Sequence, residues 1–257
     1  MLYDTHIHTC FSYDSKMSLA EVRRKLAEVN IGAIITEHID LNYPDTTAFK
    51  LDTEGYFQAY APYRNDRLLL GVEFGMGPQE VMDYRRLAES CPFDYILGSI
   101  HVVGSFDVYD EQFYAEKTKE EAYTAYLAAT LECLGVYDYI DCLGHIDYIT
   151  RYARFPDREL YYHEYREYLD AILAILADQG KCLEINTRRL GDTRAADCLL
   201  PIYKRFRELG GRWVTIGSDA HYAADIGKNF SVARHIADCC GLRPVYFHKR
   251  QMQYLKI

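Results

Sequence analysis

Short apolar runs alternate with longer amphipathic stretches along most of this chain. The runs are Leu2–His6, Ala33–Thr36, Leu68–Glu73, Tyr95–His101, Tyr139–His145, Cys182–Asn186 and Val214–Ser218. Each is brief and rich in Ile, Leu, Val or aromatic residues, and reads as a buried strand. The stretches between them carry helical periodicity and helix punctuation. Ser18 and Glu21 form a capping box that opens a helix running towards Asn30, ended by Gly32. Pro78 starts a second helix towards Ser90, and Thr118 with Glu121 forms another capping box before a helix to about Leu134. Asp157 begins a long helix ending near Gly180, and two more are expected over Ala196–Leu209 and Ala223–Cys239.

Strand–helix alternation on this scale predicts an α/β fold with a mostly parallel sheet covered by helices. Seven such units suit a barrel better than an open sheet. No Gly-x-Gly-x-x-Gly follows the first run, so a dinucleotide fold has no support. No linker or shift of composition divides the chain, which reads as one domain over residues 1–257. Residues 40–66, rich in Asp, Pro, Thr and Tyr, read as a long loop of the kind that borders an active site.

The ends of the runs carry the chemistry. The first leads into His6-Ile7-His8, and on a strand that spacing turns both imidazoles to one face. The others end in Thr36-Glu37-His38, Val72-Glu73, Ile100-His101, Gly144-His145-Ile146-Asp147, Glu184-Ile185-Asn186 and Ser218-Asp219-Ala220-His221. Six of the nine histidines thus lie where parallel strands converge on the functional face of a barrel, while His163, His235 and His248 read as ordinary surface or packing residues. With Asp14 close behind the first pair, the candidate metal ligands are His6, His8, Asp14, His38, Glu73, His101, His145, Asp219 and His221. One catalytic zinc-type ion takes about three protein ligands, so nine suit two or three ions, with a carboxylate such as Glu73 bridging two. Adjacent ions acidify a shared water and neutralise the oxygens of a phosphoryl transition state, so hydrolysis of a phosphate ester is the expected chemistry.

Composition narrows the partners. The formal net charge of -9 comes without a basic stripe, which argues against nucleic acid and for a small substrate. An anionic substrate then needs local arginines or bound metals to overcome the overall field. The eight cysteines include no Cys-x-x-Cys pair and read as reduced thiols, and the 24 tyrosines, several of them over 161–168, read as packing. No run is long enough to cross a bilayer and no leader pattern opens the chain, so a cytoplasmic protein without membrane contact is expected.

In order and spacing, His6-x-His8, Thr36-Glu37-His38, Glu73, Ser99-Ile100-His101, Gly144-His145 and Gly217-Ser218-Asp219-Ala220-His221 resemble the polymerase and histidinol phosphatase (PHP) superfamily. The resemblance implies a distorted seven-stranded (β/α)7 barrel, PHP-like, around a trinuclear centre of zinc, iron or manganese. It implies one ion on His6, His8, Glu73 and Asp219, a second on Glu73, His101 and His145, and a third on Asp14, His38 and His221. A carboxylate at Asp14, where some relatives carry histidine, favours a harder third ion. The implied mechanism is attack on phosphorus by a metal-bridging hydroxide, with His221, His38 or Asp219 protonating the leaving alkoxide. Asp4, Glu37 and Asp147 stand beside ligands and are candidates to orient imidazoles.

Within the superfamily the chain looks most like the histidinol-phosphate phosphatases. Ser99-Ile100-His101-Val102, Gly144-His145-Ile146-Asp147, Leu183-Glu184-Ile185-Asn186-Thr187 and the tail from Pro244 to Arg250 carry that likeness. It implies cleavage of L-histidinol phosphate in histidine biosynthesis. Where that family often reads Asn-Thr-Ser-Gly-Leu-Arg, this chain reads Asn186-Thr187-Arg188-Arg189-Leu190-Gly191. Gly191 stands at the arginine position, so Arg188, Arg189 or Arg194 is expected to supply the guanidinium, with Arg151 and Arg154 as further candidates. The alternatives are a PHP phosphoesterase acting on another small phosphomonoester or on a phosphotyrosine protein, and a non-catalytic metal-binding domain. The complete ligand set counts against the last.

Overall fold

All seven apolar runs form strands, and all lie in one sheet. The structure, a computed structural model, describes residues 1–254. The strands are β1 (Tyr3–Ile7), β2 (Gly32–Ile39), β3 (Leu68–Gly75), β4 (Ile96–Ser99), β5 (Cys142–Leu143), β6 (Cys182–Asn186), β7 (Trp213–Gly217), β8 (Arg243–His248) and β9 (Gln251–Tyr254). They lie side by side in chain order, and every neighbouring pair is parallel except the antiparallel β8–β9 hairpin. Helices α1 (Leu19–Val29), α2 (Thr53–Tyr60), α3 (Val81–Ser90), α4 (Lys119–Leu134), α5 (Arg166–Asp178), α6 (Thr193–Glu208) and α7 (Phe230–Cys240) fill most of the connections. None of the described helices is long and apolar enough to cross a membrane.

The sheet does not match a closed seven-stranded count. Among the described residues it holds nine strands, and the backbones of β1 and β7 meet only at one end, through His8 N–H to the Ala220 carbonyl at 2.9 Å and Asp219 N–H to the His6 carbonyl at 2.8 Å. At the other end β8 occupies the place beside β7, pairing Arg243 with Trp213 and Pro244 with Val214. Tyr246 of β8 stacks on Tyr3 of β1 at 3.8 Å between ring centroids. The terminal hairpin thus keeps the two strands apart where they would otherwise pair.

Alternation along the strands divides the apolar side chains into two clusters. Ala33, Ile35, Leu70, Val72, Ile185 and Ile216 join the helices in the larger one. Tyr3, Ile34, Leu69, Leu97, Cys142 and Cys182 form a smaller layer on the opposite face, closed by Val245 and Phe247 of β8. Stepping by two residues from this inner layer leads to the site: Ile34 to Thr36 to His38, Leu69 to Gly71 to Glu73, and Leu97 to Ser99 to His101. In β1 the pairing with β2 shifts register between Asp4 and Ile7. Tyr3 and Ile7 therefore fall in different clusters although they are four residues apart.

Both expected capping boxes are present, at Ser18 with Glu21 and Thr118 with Glu121. Four expectations need correction. Helix α1 ends on Asn30 in the left-handed conformation, while Gly32 opens β2, where the Tyr3 ring leaves no room for a side chain. The helix expected from Asp157 begins only at Arg166, because Arg158, Tyr161 and the residues around them are spent on turn contacts, so the tyrosines at 161, 162 and 165 precede it. The helix expected from Ala223 begins at Phe230, after a left-handed Asn229. The loop over 40–66 contains α2, capped by Asp52. The thiols are all free; Cys133, Cys142, Cys182 and Cys240 are buried, while Cys10 and Cys239 are exposed.

Candidate active site

All nine candidate ligands come together at one end of the parallel strands. At their centre is Glu73, fully buried on β3. Its Oε2 lies 3.1 Å from His6 Nε2, 3.5 Å from His8 Nε2 and 3.0 Å from His38 Nδ1. Its Oε1 lies 3.0 Å from His145 Nε2 and 3.3 Å from His101 Nε2. Asp219 Oδ1 stands 3.7 Å from His6 Nε2 and 3.4 Å from His8 Nε2. Asp14 Oδ2 reaches His221 Nε2 at 2.9 Å and His38 Nε2 at 3.7 Å. Each of the three expected ligand sets therefore has its donor atoms turned towards one another.

The donors fit divalent ions by a test internal to the structure. Buried polar atoms ordinarily find hydrogen-bond partners. Here His6 Nε2, His8 Nε2, His38 Nδ1, His145 Nδ1 and Glu73 Oε2 are buried without one, and all but His145 Nδ1 face the common centre. Groups of three donor atoms, such as His6, His8 and Glu73 or His8, His38 and His221, lie within 4.8 Å of each other. Imidazole and carboxylate donors of this kind suit zinc, iron or manganese.

Asp219 has a positive φ of 55°, unusual for a residue other than glycine. Its N–H is held by the His6 carbonyl and its carboxylate by Arg151, which forms an ion pair with Oδ2 and donates from Nη2 to Asn186 Oδ1 at 3.0 Å. Burial pushes the Asp219 carboxyl up, but Arg151 and His6 outweigh it and hold it well below the usual carboxylate range. Glu73 is likewise held low, because His6, His38 and His101 outweigh its burial. Burial pulls His6 down, and the carboxylates of Glu73, Glu184 and Asp219 reverse this and hold it well above the ordinary value. His8 goes the other way, lowered by burial and by the like charges of His38 and His221. The centre thus alternates charge.

A cavity of about 190 Å³ opens onto the cluster. His221, Asp219 and His38, the three candidate proton donors, all border it, as do Arg151, Arg188, Tyr148, Tyr152 and Tyr222. Arg188 Nη1 donates to the Asp219 carbonyl at 2.9 Å and lies 3.3 Å from His221 Nδ1, with 43% of its side chain exposed. Arg151 is only 8% exposed, and its Nε–H is buried with no acceptor among the described residues.

Three of the candidate phosphate-binding arginines go elsewhere. Arg189 turns into the protein beside α6, where it bonds Glu159 at 2.6 Å and Thr150 Oγ1, and lies 3.5 Å from Asp147. Arg154, half exposed, stands 3.6 Å from Glu111 in a neighbouring basin with Tyr109. Arg194 caps Asp157 and Tyr161 on the surface. Glu159 pairs with no other cation among the described residues and is 5% exposed, so Arg189→Ala is expected to cost about 3 kcal/mol of stability. The loss is to be read as a lower denaturant midpoint with kinetic constants unchanged. A raised KM at unchanged stability would return Arg189 to the site.

Of the residues expected to orient imidazoles, none bonds a ligand ring; Asp4 takes the His6 backbone N–H at 3.4 Å, and Glu37 acts through Ser12. Glu37 accepts from Thr9 and Ser12, and Ser12 Oγ in turn lies 3.2 Å from His8 Nδ1 and accepts from His38 N–H. Asp4 also receives the N–H groups of Ser218 and Gly227, where burial raises its carboxyl to about 6. Asp147 faces Arg189. The direct partners are Asp40, on His101 Nδ1 at 2.9 Å, and Glu184, on His6 Nδ1 at 2.8 Å. The sequence carried one signal for Glu184, a carboxylate between Leu183 and Ile185 in a strand buried throughout, where an ionised group requires a partner.

The PHP domain family matches residues 4–188. A Clostridium acetobutylicum protein named "Probable histidinol-phosphatase" is 48% identical over 254 residues, covering 99% of this chain and 100% of that one. A Lactococcus lactis protein named histidinol-phosphatase is 34% identical over 227 residues, covering 86% and 84%. A crystal structure of histidinol phosphate phosphatase from Lactococcus lactis, complexed with zinc, L-histidinol and phosphate, superimposes with a TM-score of 0.90 at 30% identity, covering 98% of each chain. The strand-end histidines thus sit in a sequence matched along nearly its whole length, and the chain belongs to the PHP domain family, among relatives that are histidinol-phosphatases.

Proposed function

We propose that this chain is a metal-dependent phosphatase that hydrolyses L-histidinol phosphate, a step of histidine biosynthesis. One observation carries the reading: a structure alike over 98% of both chains holds zinc, L-histidinol and phosphate. Residues 1–257 act as one unit in this reading, and β1–β7 with their bridge at the site end form a distorted barrel.

His6, His8, Glu73 and Asp219 would hold one ion, Glu73 with His101 and His145 a second, and Asp14, His38 and His221 a third. The donor atoms of each set converge, and Glu73 divides its two oxygens between the first two sets. Zinc, iron and manganese all suit these donors. Ions bound there would supply Lewis acidity and make water acidic enough to ionise near neutral pH. The protein contributes the rest. Arg151, with its free Nε–H, and Arg188 at the mouth grip the phosphoryl oxygens. Tyr148, Tyr152 and Tyr222 wall the cavity and limit water around the leaving group. Proton delivery to the leaving alkoxide falls to His221, Asp219 or His38.

The test is phosphate release from L-histidinol phosphate beside a panel of other phosphomonoesters, with metal content measured on the same sample. The expected result is preference for L-histidinol phosphate with two to three ions bound. Full metal occupancy with activity only on other esters would discard the substrate. No hydrolysis by metal-loaded protein would discard the enzyme.

A further inference from the structure

Two buried carboxylates outside the ligand set perform the same manoeuvre at separate places in the sheet. Asp40, at the end of β2, passes over Gly75 at the end of β3 and reaches His101 just beyond β4, 2.9 Å from Nδ1. Glu184, on β6, passes over Gly217 on β7 and reaches His6 on β1, 2.8 Å from Nδ1. Each side chain crosses one whole strand, and the residue beneath the crossing is glycine both times. A methyl group on Gly75 would lie 1.3 Å from Asp40 Oδ1, and one on Gly217 would lie 2.1 Å from Glu184 Oε1. Neither glycine has a positive φ, so the backbone does not demand it and the need is for space. At Gly75 the three nearest atoms all belong to Asp40. A side chain there displaces the carboxylate before it meets anything else.

The two clasped rings then meet Glu73 from different sides. His6 Nε2 faces Oε2 at 3.1 Å and His101 Nε2 faces Oε1 at 3.3 Å. An imidazole that donates its Nδ1–H to a carboxylate keeps its lone pair on Nε2, the atom that ligates. We propose that Asp40 and Glu184 are positioning residues that aim one imidazole each at the two sides of Glu73, and that Gly75 and Gly217 are the gaps through which they reach. The proposal rests on reading the cluster as a metal centre.

Zinc is the probe, with affinity measured by competition against a chromogenic chelator on protein stripped and refilled. Gly75→Ala, which alters no polar group, is expected to weaken zinc binding at one site about 10- to 100-fold while near-UV circular dichroism stays unchanged. Asp40→Asn adds no bulk and gives the same loss, so the test survives if the alanine variant folds poorly. Asp40→Ala combined with Gly75→Ala should be no worse than either alone, because both sever one contact. Nitrogen NMR of His101 should report Nδ1–H in the native chain and a mixture of tautomers in the variants. Zinc affinity within about twofold of the native protein for Gly75→Ala and Asp40→Asn, or losses that multiply in the double variant, would overturn the proposal. A native chain that takes up no zinc would overturn the metal centre itself, and is recognised before any variant is made.

Discussion

Glu73→Ala is expected to remove more than one ion from the protein and to lower kcat/KM by at least about a thousandfold, ~4 kcal/mol of transition-state stabilisation. Five imidazoles stand within 3.5 Å of its two oxygens, three at Oε2 and two at Oε1, so both of the sets it joins lose a ligand together. The centre loses a buried negative charge as well, one that faces donors of both sets. Stability should follow metal content. A ligand present at a thousand times its Kd adds about 4 kcal/mol to the folded state, so the native thermal midpoint should climb with added zinc while that of the variant stays nearly flat. Glu73→Gln serves as the control for volume, since it fills the same space and offers one neutral oxygen. Elemental analysis and a zinc-dependent melting series read both effects. Retention of all but one ion in Glu73→Ala would refute the bridging position.

That prediction could be framed from the sequence because residues with metal-donor chemistry are legible there. A histidine at a strand end contributes nothing to the core, so its recurrence at strand after strand has no packing explanation. The step of two from Leu69 to Glu73 or from Ile34 to His38 then places the donors on one face. The strands were legible for the same reason, since buried parallel strands show as apolar runs. Arginines were not. Arg151, Arg154, Arg188 and Arg189 look alike in sequence, and what separates them is the partner each long side chain finds: Asp219, Glu111, the Asp219 carbonyl and Glu159. The supports of the ligands were equally hidden, because Asp40 and Glu184 reach over an intervening strand, and no local pattern encodes such a reach. The β8–β9 hairpin, which holds β1 and β7 apart, lies beyond the last strand–helix unit, where periodicity no longer sets any register.

Arg151→Met is expected to lower kcat/KM for the phosphomonoester by about 100- to 1,000-fold while leaving metal content intact, about 3–4 kcal/mol at the transition state. The argument turns on which arginine is fixed in place. Arg188 is 43% exposed and held by a backbone carbonyl and the His221 ring, so much of its attraction for phosphate is screened by water. Arg151 is 8% exposed, held by Asp219 and Asn186, with its Nε–H still free, so it meets the phosphoryl group already oriented and largely dry. Arg188→Ala should therefore cost about tenfold or less, and mostly in KM. Arg151→Lys separates charge from geometry. A lysine restores the positive charge beside Asp219 but offers no planar fork, so it should recover the ion pair with Asp219 but the rate only in part. Two effects compete in Arg151→Met, loss of the phosphate grip and release of the Asp219 carboxylate from its ion pair. The second makes Asp219 a more available metal ligand, so it acts on affinity for the ion in the opposite direction from the loss of rate. Metal titration and steady-state kinetics on the same preparations distinguish them. A fall in metal content that accounts for the whole loss of rate would make Arg151 a support for Asp219 and leave Arg188 as the arginine that binds phosphate.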